Sequence, residues 1–149
     1  MGGVLKHPTY MEISNGDTGH AEVIKIEFDE NAVSYNDLLI VFFKTHTPTS
    51  LNRQGNDIGN QYRSIIFYNS PEQKFLAEQM IEKLTQEKVF KKPIITEVSK
   101  AMDFYEAEDY HQNYFIKNGG KPYCAFVIQP KLDNFILEFN EMIKSELSN

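Results

Sequence analysis

Tryptophan is absent from these 149 residues, and cysteine occurs once, as Cys124. A single cysteine excludes an internal disulfide framework and any cysteine-rich zinc or iron–sulfur centre. No stretch approaches the ~20 apolar residues that cross a bilayer. The amino-terminal MGGVLKHPTY has no apolar core of the kind that marks a secretory signal. A soluble cytoplasmic protein without membrane attachment is therefore expected. An excess of positive charge is missing too: the net charge is −6, which gives no broad attraction for nucleic acid or anionic lipid. Internal repeats, low-complexity tracts and linkers are not found, so one domain over 1–149 is expected. What is present is globular in character, because 41% hydrophobic residues set against 24% charged suffice for a buried core.

Periodicity gives strands and helices in alternation. Met1 to Gly19 reads as irregular, punctuated by Gly2, Gly3, Pro8 and Asn15-Gly16. Ala21 to Phe28 alternates apolar and polar residues with β-branching, a strand signature. Ser34 is a helix N-cap with Asp37 in the first turn, and the helix it opens ends before Pro48. Thr49 to Asn60 is a polar loop, and Tyr62 to Tyr68 a second strand. Ser70-Pro71-Glu72-Gln73 opens a helix with an N-cap, Pro at the first helical position and a capping-box Gln, and Leu76, Met80 and Leu84 form its apolar face. Pro93 to Val98 reads as a third strand and Ala107 to Lys117 as a third helix, broken by Gly119-Gly120. Tyr123 to Ile128 reads as a fourth strand, and Asp133 to Leu147 as an amphipathic helix turning Phe135, Ile136, Phe139, Ile143 and Leu147 inward. The pattern predicts an α+β fold, a two-layer α/β sandwich of the ferredoxin-like plait type with a mainly antiparallel sheet.

Chemistry-bearing residues concentrate in three polar segments, 8–22, 46–63 and 106–114. Glu22 falls inside the first predicted strand and Tyr62 at the start of the second. If those strands are neighbours, a carboxyl and a phenol face one site. A buried carboxyl stays protonated near neutrality and, with phenol donors such as Tyr10 and Tyr62, suits proton transfer to a polar oxygen. The plainer reading is a surface carboxylate and two half-buried packing tyrosines. Glu108-x-x-His111 matches half of a di-iron helix motif, but a second copy is absent. His20, His46 and His111 share no metal-ligand spacing. A His111/Cys124 couple is a nucleophile only if the fold joins them, and a cysteine in an apolar run is ordinarily an inert core residue. Asn56 and Asp57, between Gly55 and Gly59, also read as plain turn formers.

Four ordered motifs resemble the A-type methionine sulfoxide reductases, the peptide-methionine (S)-S-oxide reductases, over essentially the whole chain. They are Pro8-Thr9-Tyr10 with Gly16-Asp17-Thr18-Gly19-His20-Ala21-Glu22-Val23, then Pro48-Thr49-Ser50-Leu51-Asn52-Arg53-Gln54-Gly55-Asn56-Asp57 with Gln61-Tyr62-Arg63-Ser64, then Ala107-Glu108-Asp109-Tyr110-His111-Gln112, and Tyr123-Cys124 with Pro130-Lys131-Leu132. The resemblance implies reduction of methionine-S-sulfoxide, in proteins or free, by thiolate attack on sulfur. It implies Glu22 as the acid protonating the departing oxygen, Tyr10 and Tyr62 as hydrogen-bond donors to it, and Asp57 on the polar side of the pocket. It places His20, Gly55 and Asn56 at the substrate pocket and Cys124 where some members have a resolving thiol. It implies thioredoxin or another thiol as reductant, and neither metal nor organic cofactor.

One family feature is missing. Members carry Gly-Cys-Phe-Trp at the end of the first strand, the Cys as nucleophile and the Phe and Trp as a cage for the substrate methyl group. These 149 residues contain no such segment, and the zero Trp count agrees. Met1-Gly2-Gly3 resembles the loop just downstream of it, so an N-terminally truncated domain is expected, its nucleophile a cysteine or selenocysteine upstream. Two alternatives stand beside this: a non-catalytic member that binds a sulfoxide ligand or a protein partner, and a chain in which Cys124 serves as nucleophile.

Overall fold

A computed structural model describes residues 1–143. They form short helices and two small sheets, an α+β arrangement. Contacts divide the chain into two compact units, Met1–Glu106 and a second beginning at Ala107.

The first unit is built on locally encoded helices. Helix α1 (Tyr10–Ser14) falls where irregular chain was expected. Its signal is the capping box at its start, in which the Thr9 hydroxyl receives the Glu12 N–H while the Glu12 carboxylate accepts from the Thr9 N–H at 2.8 Å. Helix α2 (Tyr35–Thr45) begins at the predicted Ser34 cap, closed by the Asp37 carboxylate in a second capping box. The strand predicted over Ala21 to Phe28 does not form. Its alternating pattern suits a sheet, but among the described residues backbone partners are found only for Ala21 and Glu22, and a strand needs a continuous ladder.

Strands β1 (Arg53–Gln54) and β2 (Asp57–Ile58) make a minimal antiparallel hairpin with Arg53 opposite Ile58 and Gln54 opposite Asp57. Gly55, at φ +59°, and Asn56 form its two-residue turn. Strand β3 (Ile65–Tyr68) starts three residues later than predicted, because a 3-10 turn takes up Asn60–Tyr62. Helix α3 (Pro71–Gln86) follows the predicted Ser70 cap, and the Gln73 side chain reaches back to the Asn69 N–H at 2.8 Å. Strand β4 (Glu97–Lys100) pairs with β3 in parallel, Ile65 opposite Glu97 through Tyr68 opposite Lys100. The expected mainly antiparallel sheet of a ferredoxin-like plait is thus corrected for the described residues. The longer pair is parallel because helix α3 returns the chain to the same end of the sheet before β4 begins. Leu39 and Phe43 of α2, Ile66 of β3 and Ala77 of α3 make the core, flanked by Leu76, Met80, Leu84 and Val98.

In the second unit, the helix predicted over Ala107 to Lys117 contracts to α4 (Tyr114–Asn118). It starts from Asn113 in the left-handed region, whose side chain makes no cap hydrogen bond. The fourth predicted strand is a π-helical turn, Cys124–Ile128. A run of five apolar residues carries no period that separates a strand from a helical turn, and the Ala125 N–H bonding the Lys121 carbonyl at 3.1 Å sets the helical course. Helix α5 (Gln129–Phe139) begins earlier than predicted and passes into a 3-10 turn, Asn140–Met142. Phe139 is buried with its ring tilted against that of Phe135, centroids 5.2 Å apart, while Leu147 lies outside the described residues. Among the described residues no helix is long and apolar enough to cross a membrane.

Candidate functional site

The segment carrying Glu22 is anchored before Glu22 is reached. The Met1 and Ala21 backbones exchange two bonds at 3.0 and 2.9 Å, and the Val4 N–H donates to the Thr18 carbonyl at 3.2 Å. His20 is only 2% exposed. Its Nδ1 accepts the Gly3 N–H at 3.2 Å, so Nε2 carries the proton and donates to the Leu5 carbonyl at 2.8 Å. A side chain at position 3 would run into the Thr18 carbonyl and the His20 ring, which is why glycine stands there. His20, expected at the substrate pocket, is thus a buried tie between residues 3–5 and the site segment. The Glu22 N–H then donates to the Gln61 carbonyl at 2.8 Å, which sets Glu22 beside Tyr62.

The segment carrying Asp57 and Tyr62 is clasped at its base. His46 Nδ1 donates to the Phe42 carbonyl, and His46 Nε2 lies 2.7 Å from Ser64 Oγ. Since Nδ1 holds the proton, Ser64 donates to Nε2, and Thr96 Oγ1 donates to Ser64 at 2.7 Å. Burial holds the His46 imidazole below its ordinary pKa, against the opposing effect of the Phe42 hydrogen bond. Within the loop, the Gln54 amide bridges the Thr47 N–H at 3.0 Å and the Thr47 carbonyl at 2.9 Å. Pro48 is buried, and its carbonyl accepts from Ile95 at 2.9 Å. Gly59, at φ +153°, turns the chain into the 60–62 turn so tightly that a Cβ would overlap the Gln61 side chain.

These two segments bring together four of the residues singled out in the sequence. The Tyr62 phenol is held above its ordinary pKa, first by burial, then by the negative charge of Glu22 and by Tyr10 and Asp57 nearby, with a hydrogen bond from Gln61 opposing. Glu22 and Asp57 are exposed, Tyr10 is 36% exposed and Tyr62 is half-buried. The anticipated buried carboxyl is therefore not the state of Glu22 in the uncomplexed chain. Its segment is fastened by backbone bonds, and the side chain is left at the surface. Gly55 and Asn56 are exposed at the hairpin turn, while Asp57, read with Asn56 as a turn former, opens strand β2. The cavity lined by residues 6–8 and 103–106 includes none of the four.

Cys124 belongs to the second unit and is completely buried in the π-helical turn. Glu108 and His111 lie in that unit too, where the His111 N–H donates to the Glu108 carbonyl at 2.8 Å. Among the described residues no group of three or more His, Cys, Asp or Glu could hold a metal ion. Sequence reasoning passed over Arg63 and the His46–Ser64 clasp. A polar residue buried for its hydrogen bonds has no compositional signature, although Arg63 and Ser64 both fall inside the second motif.

The family model described as peptide methionine sulfoxide reductase matches residues 1–143. The chain belongs to that family. Relatives named peptide methionine sulfoxide reductase MsrA include one from Acinetobacter baumannii strain SDF, 52% identical over 97% of this chain and 82% of its own. Another, from Trichodesmium erythraeum, is 48% identical over 97% of this chain and 81% of its own. Mxr1 from Saccharomyces cerevisiae, solved in reduced form, is similar with a TM-score of 0.72 and 33% identity over 78% of this chain. Methionine sulfoxide reductase A of Corynebacterium diphtheriae is similar with a TM-score of 0.67 and 35% identity over 79%. The chain spans 63% and 60% of the length of those two solved chains. The family is one of oxidoreductases, and the match spans all four residues of the Tyr10–Glu22–Asp57–Tyr62 cluster.

Proposed function

We propose that the cluster is the oxygen-side half of a methionine-S-sulfoxide reductase site, acting on oxidised methionine in proteins or as the free amino acid. The observation that carries this reading is the Glu22 N–H bonding the Gln61 carbonyl at 2.8 Å, beside the half-buried Tyr62, whose phenol has Glu22, Tyr10 and Asp57 as neighbours. A sulfoxide oxygen is a poor leaving group until protonated. Tyr10 and Tyr62 donate hydrogen bonds to it and Glu22 supplies the proton, while a thiolate or selenolate attacks the sulfur. Bound substrate covers the exposed Glu22, and loss of water favours its protonated form. The products are methionine and a sulfenic or selenenic acid, and a thiol converts that acid to a disulfide or selenenylsulfide with loss of water. A second thiol, from thioredoxin or another reductant, returns the starting state. Asp57, opposite Gln54 in the hairpin, supplies the polar wall.

The attacking group is not assigned to Cys124, which is completely buried in an apolar turn and so is closed to a sulfoxide. Recruiting it as the resolving thiol requires that turn to open. The nucleophile of this reading is the cysteine or selenocysteine of the family's Gly-Cys-Phe-Trp segment, which these 149 residues do not contain. The test joins that segment to Met1 and follows reduction of a methionine-sulfoxide peptide by dithiothreitol. Turnover is expected, with Glu22→Gln lowering it about 100-fold or more, the ordinary contribution of a positioned general acid. An unchanged rate in Glu22→Gln rejects the acid assignment. Peptide binding without turnover favours the alternative, a non-catalytic binding member.

A further inference from the structure

The guanidinium of Arg63 occupies the seam between the two segments that carry the site. Its side chain is 12% exposed. Nη2 donates to the Gly19 carbonyl at 3.1 Å, three residues before Glu22. Nη1 donates to the Asn60 carbonyl at 3.1 Å, two residues before Tyr62. Nε faces Glu97 Oε1 at 3.4 Å, on strand β4. The planar fork reaches two carbonyls and a carboxylate at once, which the single ammonium of lysine cannot do from the same place. All three directions end on oxygens of the protein itself, so Arg63 is not poised to take the carboxylate of a ligand.

We propose that Arg63 is a positioning residue that holds the Glu22 segment at the correct offset from the Tyr62 turn. The proposal rests on the reading of Glu22 and Tyr62 as the groups that handle the sulfoxide oxygen. Near the site these segments are also joined by the Glu22 N–H donating to the Gln61 carbonyl at 2.8 Å. Any one backbone bond lets the two segments it joins pivot about it. The Gly19–Arg63–Asn60 bridge gives a second fixed point three residues away and removes that freedom. Glu97 balances the charge and keeps the guanidinium turned toward the two carbonyls.

The experiment reads the coupling between Glu22 and Tyr62 directly, in the 149-residue protein and without catalysis. Tyrosines carrying 13C at Cζ are titrated by NMR, and Tyr62 is identified by the resonance lost in Tyr62→Phe. In the parent, Glu22→Gln is expected to lower the Tyr62 titration midpoint, because a neighbouring negative charge is gone. In the Arg63→Gln background that response is expected to fall to less than half, with Arg63→Lys intermediate. Glu97→Gln, which leaves both carbonyl bonds in place, is expected to preserve most of it. Should Arg63→Gln fail to fold, Arg63→Lys makes the same comparison. An equal response to Glu22→Gln in the parent and in a folded Arg63 variant overturns the proposal. In the chain carrying the family's nucleophile segment, Arg63→Lys is expected to lower kcat with KM nearly unchanged. A loss confined to KM overturns positioning in favour of substrate binding. Absence of turnover in that parent chain counts against the proposed function, while the NMR result still decides what Arg63 does.

Discussion

Replacing Ser64 by alanine removes one oxygen and opens the clasp under the site loop. Ser64 is 5% exposed. Its Oγ donates to His46 Nε2 at 2.7 Å and accepts from Thr96 at 2.7 Å. Alanine fills nearly the same space, so the effect is one of hydrogen bonding. The imidazole acceptor and the Thr96 hydroxyl each lose their partner. An unsatisfied buried group costs about 1–3 kcal/mol. His46 and Thr96 keep some exposed surface, so water recovers part of that, and a total of about 2 kcal/mol is expected. For a unit the size of Met1–Glu106 this lowers the melting temperature by about 8 °C. The assay is a reversible thermal melt at pH 7.5, followed by far-ultraviolet circular dichroism. Thr96→Val, measured in the parent and in Ser64→Ala, completes a double-mutant cycle. The valine is expected to destabilise the parent and to cost almost nothing once Ser64 is gone. A drop under about 2 °C for Ser64→Ala, or equal costs of the valine in both backgrounds, would refute the relay from Thr96 through Ser64 to His46.

Three further outcomes follow from the same geometry. His46 has its pKa depressed by burial, so the unfolded chain binds the more protons once pH falls below the ordinary histidine value of about 6.5. Stability is then full above that value and declines toward the depressed one; urea midpoints at pH 7.5 and 5.5 should show a smaller acid loss in His46→Gln, and an equal loss would dismiss His46 as the cause. Cys124 is fully buried, and Ellman's reagent should label it at least about 100-fold more slowly in buffer than in denaturant, as labelling waits on local opening; similar rates would show an accessible thiol. In the chain carrying the nucleophile segment, Tyr62→Phe should slow sulfoxide reduction by about 10-fold or more through loss of one donor to the oxygen, and a rate within twofold of the parent would remove Tyr62 from the oxygen site.

Local chemistry determined the helices and their first turns. Ser34 with Asp37, Ser70 with Pro71, and the Thr9–Glu12 box each satisfy their own helix start within four residues, so their outcome was encoded where they stand. The resemblance of their motifs to the family likewise pointed to Tyr10, Glu22, Asp57 and Tyr62. The sheet was not decided that way. Residues 21–28 have a strand's alternation yet, among the described residues, pair only at Ala21 and Glu22, because a strand depends on what lies beside it. Parallel pairing of β3 with β4 depends on where helix α3 returns the chain. Only the tertiary structure turned His20 from a pocket candidate into a buried tie, left the Glu22 side chain exposed, and set the Arg63 guanidinium against two carbonyls 41 residues apart in sequence. Hydrogen bonds between distant segments have no period and no composition, so they become visible when the chain is folded.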